Sequence, residues 1–167
     1  MRPNLTYLTL SGSAREQVEL EAELRQNSIR HLAVRHDSLV GFAMQSEGEP
    51  GAATPLLGSH RMGGAPLLTQ APFAAELAMQ GYAGSVAFSG DGSEIAITSP
   101  QGGRLHRFSE DGAFLAALSR ADVCGLAPLG RGYLASDELG GLIMIGGTSP
   151  TPLARINCAW DNHIVSL

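Results

Sequence analysis

The stretch Ala83–Leu118 consists of four short runs, each with the pattern of a β-strand, joined by three tight turns. Polar and apolar residues alternate within the runs, as at Glu94–Thr98, and the turns are rich in Gly, Asp and Ser, as at Ser89–Gly92. Such turns between alternating runs indicate consecutive antiparallel hairpins. A four-stranded meander that recurs along a chain is typical of the blades of a β-propeller.

The meander recurs with the period of propeller blades. A large aliphatic residue followed by a small or branched one marks the first strand of each unit: Leu32-Ala33, Val86-Ala87, Leu126-Ala127 and Ile164-Val165. The residues just before these pairs, at intervals of 54, 40 and 38 residues, are His31, Ser85, Gly125 and His163. A period near 40 with four strands per period matches a blade. The longer first interval holds a polar loop, Gln45–Pro55, and the best helix candidate, Ala71–Gln80.

We therefore predict an all-β fold, a β-propeller of four-stranded antiparallel blades with one short inserted helix. The chain supplies about four blades, half of a seven-bladed type of ring, where closed rings have ~4–8. The predicted units are a partial blade 1–27, a blade with insertions 28–81, two plain blades 82–120 and 121–158, and the first strand of a further blade, 159–167. Blades need neighbours on both sides. The sequence thus predicts either missing N-terminal blades of a longer chain or self-association of two copies.

Composition fits this fold and excludes some partners. The 167 residues include 21 Gly and 9 Pro, and only 16% are charged, which is typical of an all-β chain with many turns. A net charge of −5 gives no reason to expect nucleic acid or an anionic membrane as partner. No apolar run approaches the ~20 residues of a membrane span, and no signal peptide is visible near Met1.

Cys124 and Cys158 lack metal-ligand spacing and stand in apolar strand contexts, so buried reduced thiols are expected rather than a disulfide or a reactive thiol.

A candidate metal site lies at the register position shared by two first strands. First strands line the central channel of a propeller, so His31 and His163 are both expected to face the axis. Neutral imidazoles there are plausible ligands of a divalent metal ion, with Asp161 or Asp122 as carboxylate partner. The alternative is that each histidine bonds the backbone of a neighbouring blade, since no H-x-H or H-E-x-x-H spacing is present.

Two further clusters are candidate ligand sites. Ser59 and His60 suggest a nucleophile, but adjacent strand residues point to opposite faces and the G-x-S-x-G elbow is absent. The loop at Gly58–Arg61 suits an anion instead, with Arg61 or Arg30 holding a carboxylate; the alternative is a surface turn. The densest polar-aromatic cluster comprises Trp160, Asp161, Asn162 and His163. It is either a ligand site or structural, and the Gln45–Pro55 loop is either a lid or a solvated loop.

Several segments together resemble a known family: SIRHLAV, LLGSHRMG, GSVAFSGDGSEIAITSPQGG, DVCGLAPLG and WDNHIVSL. They are similar to successive motifs of domain-of-unknown-function family 1513, over nearly the whole chain. The resemblance implies a bacterial, twin-arginine-exported, periplasmic β-propeller encoded beside iron-uptake and imelysin-type proteins, which are therefore possible partners. It also implies that this segment is the C-terminal half of a longer propeller. The family has no assigned activity.

Three functions are compatible with these observations. The first is a cell-envelope scaffold that binds a ligand, a metal or a partner, in a context linked to iron uptake. The second is a metal-dependent propeller hydrolase or lactonase that uses His31, His163 and Asp161. The third is a pure interaction module. Propeller enzymes usually carry acidic residues at matching blade positions, whereas Ser85 and Gly125 occupy two of the four here, so the sequence favours binding over catalysis and assigns no catalytic residue.

Overall fold

The computed structural model describes residues 3–49, 51–147 and 149–165, which form one hairpin, three four-stranded sheets and one short α-helix. The N-terminal hairpin pairs β1 (Asn4–Leu8) with β2 (Ala14–Glu19), and a 3-10 turn follows at Ala22–Leu24. Sheet A contains β3 (Asn27–Val34), β4 (Val40–Ser46), β5 (Leu57–His60) and β6 (Leu67–Thr69). Sheet B contains β7 (Ser85–Phe88), β8 (Glu94–Ser99), β9 (Arg104–Ser109) and β10 (Phe114–Ser119). Sheet C contains β11 (Val123–Leu129), β12 (Gly132–Asp137), β13 (Gly141–Gly146) and β14 (Ser149–Arg155).

Each of the three sheets is an antiparallel meander whose strands stand in chain order. In sheet B, for example, Val86 pairs with Ile97, and Ile97 pairs with His106. This is the strand order that the alternating runs and Gly-rich turns of Ala83–Leu118 predict. The predicted all-β fold is therefore confirmed at the level of its repeating unit.

The sheets pack face to face in sequence, and their first strands lie side by side. Strand β7 contacts β3 on one side and β11 on the other. One apolar cluster, including Leu57, Phe88 and Ile97, fills the seam between sheets A and B. A second cluster, including Leu105 and Tyr133, fills the seam between sheets B and C. A third cluster holds the N-terminal hairpin against sheet A and comprises Leu5, Leu20, Val40, Phe42 and Met44.

A similar local hydrogen bond follows the second strand in all three sheets. The side chain of the last residue of that strand accepts a bond from a backbone N–H two to four residues later: Gly48 N to Ser46 Oγ (3.2 Å), Gly102 N to Ser99 Oγ (2.9 Å) and Gly141 N to Asp137 Oδ1 (2.8 Å). Ser and Asp side chains favour such local bonds to the backbone. Ser99 and Asp137, which align in the sequence, thus share the role of a side-chain acceptor for the backbone that follows.

Helix α1 (Phe73–Ala78) lies within the predicted stretch Ala71–Gln80 and links sheet A to sheet B. Pro72 precedes its first residue. Glu76 is buried, and its Oε2 accepts a hydrogen bond from the Ala71 backbone N–H at 2.7 Å. Burial is the main cause that raises the pKa of the Glu76 carboxyl, to about 7.

Three details qualify the sequence predictions. The Gln45–Pro55 loop is bound to sheet A, because Asn27 Nδ2 donates to Pro55 O at 2.8 Å and to Thr54 Oγ1 at 3.2 Å. Residue 50 of that loop lies outside the described residues, as do residues 1, 2, 148, 166 and 167 of the predicted units.

Cys124 is a buried free thiol, as expected, but Cys158 is exposed, so the prediction that both thiols are buried was wrong for Cys158. Within the described ranges, none of the helical segments has the length and apolar character needed to cross a bilayer.

Candidate functional site

His31 and His163, predicted from the repeat to face one axis, come together in the structure. Their ring centroids are 5.0 Å apart and the rings are tilted by 49°. His31 lies in β3, whereas His163 belongs to the segment 159–165, which follows sheet C and forms an isolated parallel bridge to Leu126 of β11. The strands β3, β7 and β11 and this segment thus lie side by side around one axis, and the two imidazoles contact each other there. We call them the axial pair.

The environment of His31 favours its uncharged imidazole. Burial, followed by the nearby His163 and Arg30, lowers the pKa of His31 below its ordinary value, and Asp161 opposes this shift. A neutral imidazole carries a free lone pair on one ring nitrogen, which is the form that binds metals. Since Asp161 affects the pKa of His31, its carboxylate lies close enough to act on that imidazole electrostatically. Its own Oδ1 accepts a hydrogen bond from the Asn162 backbone N–H at 2.6 Å.

Ser85 and Gly125 occupy the other two positions of the aligned register, and both stabilise the packing of the strands around the axis. Ser85 Oγ accepts a hydrogen bond from the Leu126 backbone N–H at 3.2 Å, which links β7 to β11. Gly125 has no Cβ, and one built there would stand 2.8 Å from Ile164 Cγ1 and 3.0 Å from Asp161 O. The glycine therefore leaves the space in which segment 159–165 docks. Ser85 and Gly125 thus have structural roles at the two register positions that do not carry histidine.

Trp160 anchors the same segment. Its backbone oxygen accepts a hydrogen bond from the Cys124 thiol at 3.4 Å, and Cys124 Sγ also lies 3.2 Å from Ser136 Oγ. Burial is the main cause that raises the pKa of Cys124, so this thiol is a packing group rather than a nucleophile. The Trp160 indole Nε1 is buried without a hydrogen-bond partner among the described residues.

Among the hydrogen bonds of the described residues, none joins Asp122 or Arg30 to the axial pair. Asp122 adopts a left-handed conformation (φ 56°) in the turn before β11, and its backbone oxygen accepts a hydrogen bond from Glu138 N at 3.2 Å. This places Asp122 in a tight turn. Arg30 is exposed next to His31 in β3 and contributes positive charge.

The predicted Ser59–His60–Arg61 cluster lies away from the axial pair, at the outer part of sheet A. His60 is buried; its Nδ1 is 2.7 Å from the Tyr7 hydroxyl and its Nε2 is 3.0 Å from Gly64 O. Both ring nitrogens are thus engaged, and the contact with Tyr7 fastens the N-terminal hairpin to sheet A. The Arg61 guanidinium donates to Asp37 O at 2.7 Å and to Asp37 Oδ2 at 2.5 Å.

Sequence reasoning missed an ionic network that joins sheets A and B. Arg35 donates to both carboxylate oxygens of Asp37 at 2.8 and 2.9 Å, to Glu110 Oε2 at 2.7 Å and to Gly92 O at 2.6 Å. Hydrogen bonds from Arg35, and next from Arg61, hold the pKa of Asp37 well below its usual range. Both arginines are already paired with Asp37, so the charge available to an anionic ligand in this region is small.

Among residues 3–49, 51–147 and 149–165, the structure contains no group of three or more His, Cys, Asp or Glu side chains arranged to hold a metal ion. The predicted metal set of His31, His163 and Asp161 therefore reduces to a close pair of imidazoles with a nearby carboxylate. Any metal ion at the axis would complete its coordination with water or a ligand.

Fold and comparisons together define the class of protein: the chain is a β-propeller segment, with sheets A, B and C as its blades. A family model described as protein of unknown function (DUF1513) matches residues 1–167, so the chain belongs to that family. No curated protein matches the sequence.

Solved structures share the fold at low sequence identity. A protein of unknown function from Bacteroides caccae is 13% identical with a TM-score of 0.64, and the match covers 93% of this chain and 54% of that one. Virginiamycin B lyase from Staphylococcus aureus is 16% identical with a TM-score of 0.65, covering 90% and 48%. A streptogramin B lyase is 10% identical with a TM-score of 0.61, covering 91% and 48%. The chain spans about half the length of these structures, and the likeness is one of fold alone.

Proposed function

We propose that this chain is the binding segment of a cell-envelope β-propeller and that it holds a divalent transition-metal ion between His31 and His163. The observation that carries the proposal is the axial pair itself, two imidazoles 5.0 Å apart on strands that meet at the axis. Imidazole nitrogen is a good ligand for zinc, copper, nickel and iron. The two residues reach the axis from opposite ends of the repeat.

The spacing of the rings fits a shared ion. A metal–nitrogen bond of about 2.0–2.1 Å places the ion about 3.2 Å from each imidazole centroid, and a tetrahedral angle between the two bonds then sets the centroids about 5 Å apart. The observed 5.0 Å agrees with that value. The lowered pKa of His31 keeps its imidazole neutral at pH 7, so binding need not displace a proton there. Asp161 supplies a nearby negative charge.

Titration calorimetry with Zn²⁺ as the probe tests the proposal. The wild-type chain should bind one Zn²⁺ per axial pair, and His163→Ala should weaken the affinity at least tenfold because half of the protein ligands are lost. The matched control is His36→Ala, since His36 is exposed in the turn between β3 and β4. Equal affinities of the His163→Ala and His36→Ala proteins, or no binding by the wild type, would contradict the proposal.

A periplasmic location and a link to iron-uptake proteins are part of this proposal, and both rest on the family resemblance. The location is tested by fractionating cells that express the complete natural gene and by probing the periplasmic fraction with antibody. Detection only in the cytoplasm would contradict the envelope assignment.

The proposal also includes further blades around the axis. The chain spans about half the length of the matched propellers. The rest of a ring would come from more blades of a longer chain or from a second copy.

A further inference from the structure

The outer strand of sheet B, β10, contains a β-bulge that turns a small side chain toward sheet C. The register of β10 against β9 shifts between Phe114 and Ala116. Phe114 packs against the apolar cluster between sheets A and B, whereas Leu118 packs against the cluster between sheets B and C. Ala116 pairs with Arg107 and lies on the same face as Leu118, because residues two apart on a strand point the same way. The space beside Ala116 therefore opens between sheets B and C.

A cleft of about 370 Å³ lies at this outer end of the seam between sheets B and C, and we call it the B–C cleft. Sheet B lines it with Arg107, Ala116 and Leu118, among others, and sheet C lines it with Ile145 and Pro150. At ~30 Å³ for each group of the size of a water molecule, the cleft holds about 12 non-hydrogen atoms. Its volume lies within the range of small-molecule sites, about 300–1,000 Å³.

The cavity between sheets A and B has a different chemical character, although it also lies beside the last hairpin turn of the following sheet. It is lined by Arg35, Arg61 and Glu110. Both arginines are bonded to Asp37, and Arg35 is also bonded to Glu110. The apolar walls of the B–C cleft are therefore a property of its own residues and not of the repeat.

The polar part of the B–C cleft is an ion pair between Arg107 and Glu94. Arg107 donates from Nε to Glu94 Oε2 at 2.7 Å and from Nη2 to Glu94 Oε1 at 2.8 Å, and its Nη1 donates to Gly147 O at 2.6 Å. A guanidinium has five N–H groups, so two of them have no partner within the part of the chain that the structure describes. The Arg107 side chain is only 16% exposed, which leaves these donors little access to bulk water.

A further donor without a partner lies beside this ion pair. Tyr133 is fully buried in the seam, and its hydroxyl has no hydrogen-bond partner among the described residues. Burial, and next Glu94, raise the pKa of Tyr133 while Arg107 opposes the rise, so the hydroxyl lies near the pair and stays protonated. Ser89 is also nearby, but not in hydrogen-bond geometry. Most buried polar groups in proteins have a partner, and these donors together lack an oxygen acceptor.

We infer that the B–C cleft binds a small carboxylic acid with an apolar body of about eight carbons. The carboxylate accepts hydrogen bonds from the free N–H groups of Arg107 and from the Tyr133 hydroxyl, and the apolar body packs on Leu118, Ile145 and Pro150. A carboxylate has two oxygens for these donors, and its bonds to a guanidinium are strengthened by charge. This site is separate from the axial pair, and the inference holds whether or not a metal ion binds there.

Titration calorimetry with octanoate as the probe tests the inference. The wild type should bind one octanoate per chain, and 1-octanol, which lacks the charge, should bind at least tenfold more weakly. Arg107→Gln and Tyr133→Phe should each weaken octanoate binding at least tenfold, because each removes a donor to the carboxylate. Arg131→Gln is the control and should bind as the wild type, since Arg131 also pairs with a carboxylate, that of Asp91, but its side chain is 93% exposed and does not line the cleft.

A variant that fills the cleft leaves its polar groups in place. Ala116→Leu should abolish octanoate binding, whereas Ala113→Leu, in the exposed link between β9 and β10, should not. Circular dichroism verifies that each variant is folded, and the Zn²⁺ titration of each should match that of the wild type, so that a failure here is distinct from a failure at the axial pair. No saturable octanoate binding by the wild type, equal affinities for octanol and octanoate, or equal octanoate binding by Ala116→Leu and Ala113→Leu would overturn the inference.

Discussion

At the scale of single residues, Gly125 and His106 are both buried but differ in what their side chains do: Gly125 leaves space for another segment, whereas His106 places two polar atoms in the core. Gly125 provides room for the segment that carries His163, so its missing side chain positions a functional one. His106 is fully buried in sheet B, and neither ring nitrogen has a hydrogen-bond partner among the described residues. Its ring instead meets the edges of Phe108 and Phe114, with centroids 6.2 and 5.4 Å away.

Replacing Gly125 by Ala should displace segment 159–165. The new methyl group would lie 2.8 Å from both Ile164 Cγ1 and Ser136 Oγ, closer than packed atoms tolerate. We expect the fluorescence of Trp160, the single tryptophan, to shift to longer wavelength and the Zn²⁺ affinity to fall at least tenfold. Gly146→Ala is the control, because a Cβ there meets no atom within 4 Å. An unchanged spectrum and affinity in Gly125→Ala would show that the segment does not depend on this space.

Replacing His106 by Leu should stabilise the protein. The substitution removes two buried nitrogens that lack partners and keeps a similar volume, which predicts a gain of about 1–2 kcal/mol in the free energy of unfolding at pH 7. Burial lowers the pKa of His106 to about 4 from an ordinary 6.5. The wild type is therefore destabilised as the pH falls below 6.5, by about 3 kcal/mol at pH 4, and His106→Leu should lack this contribution. Urea denaturation of both proteins at pH 7 and pH 4 measures the difference; a constant difference would contradict the assignment.

At the scale of elements, strands and turns were predictable and contacts between sheets were not. Alternation and Gly-rich turns give β7–β10 almost residue by residue, because period-2 patterning and turn chemistry are local properties. The axial pair was predictable too, since the repeat gives His31 and His163 the same register. The bond from Tyr7 to His60 spans 53 residues and that from Arg35 to Glu110 spans 75, and each joins positions that no repeat relates. The exposure of Cys158 likewise depends on which face of the last sheet is covered.

Helix α1 should make stability depend on pH through Glu76. Because burial raises the folded pKa of this carboxyl to about 7 from 4.5, the unfolded chain ionises more readily, and the wild type loses stability as the pH rises from 4.5 through 7. Glu76→Gln keeps an oxygen for the Ala71 N–H and cannot ionise. We expect its stability relative to the wild type to rise by about 2.5 kcal/mol between pH 5 and pH 8. Exposed Glu23, changed to Gln, is the control and should show no such rise; equal profiles for both variants would refute the role of Glu76.

At the scale of the whole molecule, the sequence correctly predicted an all-β propeller fold with one inserted helix. The repeat predicts the blades that the chain itself contains, whereas no residue pattern within the chain encodes the number of blades in a complete ring. Leu32 is 56% exposed although Val86 and Leu126, at the same register, are 7% and 3% exposed, which no residue pattern at that register distinguishes.

The separation of the axial pair along the chain has a consequence for synthesis. His31 and His163 are 163 − 31 = 132 residues apart, and a chain made from its N-terminus folds its early sheets first. The pair cannot exist on the ribosome until His163 has been translated and sheets A, B and C have assembled around the axis. Binding of any metal ion to the axial pair is therefore a late event in synthesis. The first detection of such binding in a nascent chain would show that the sheets have assembled.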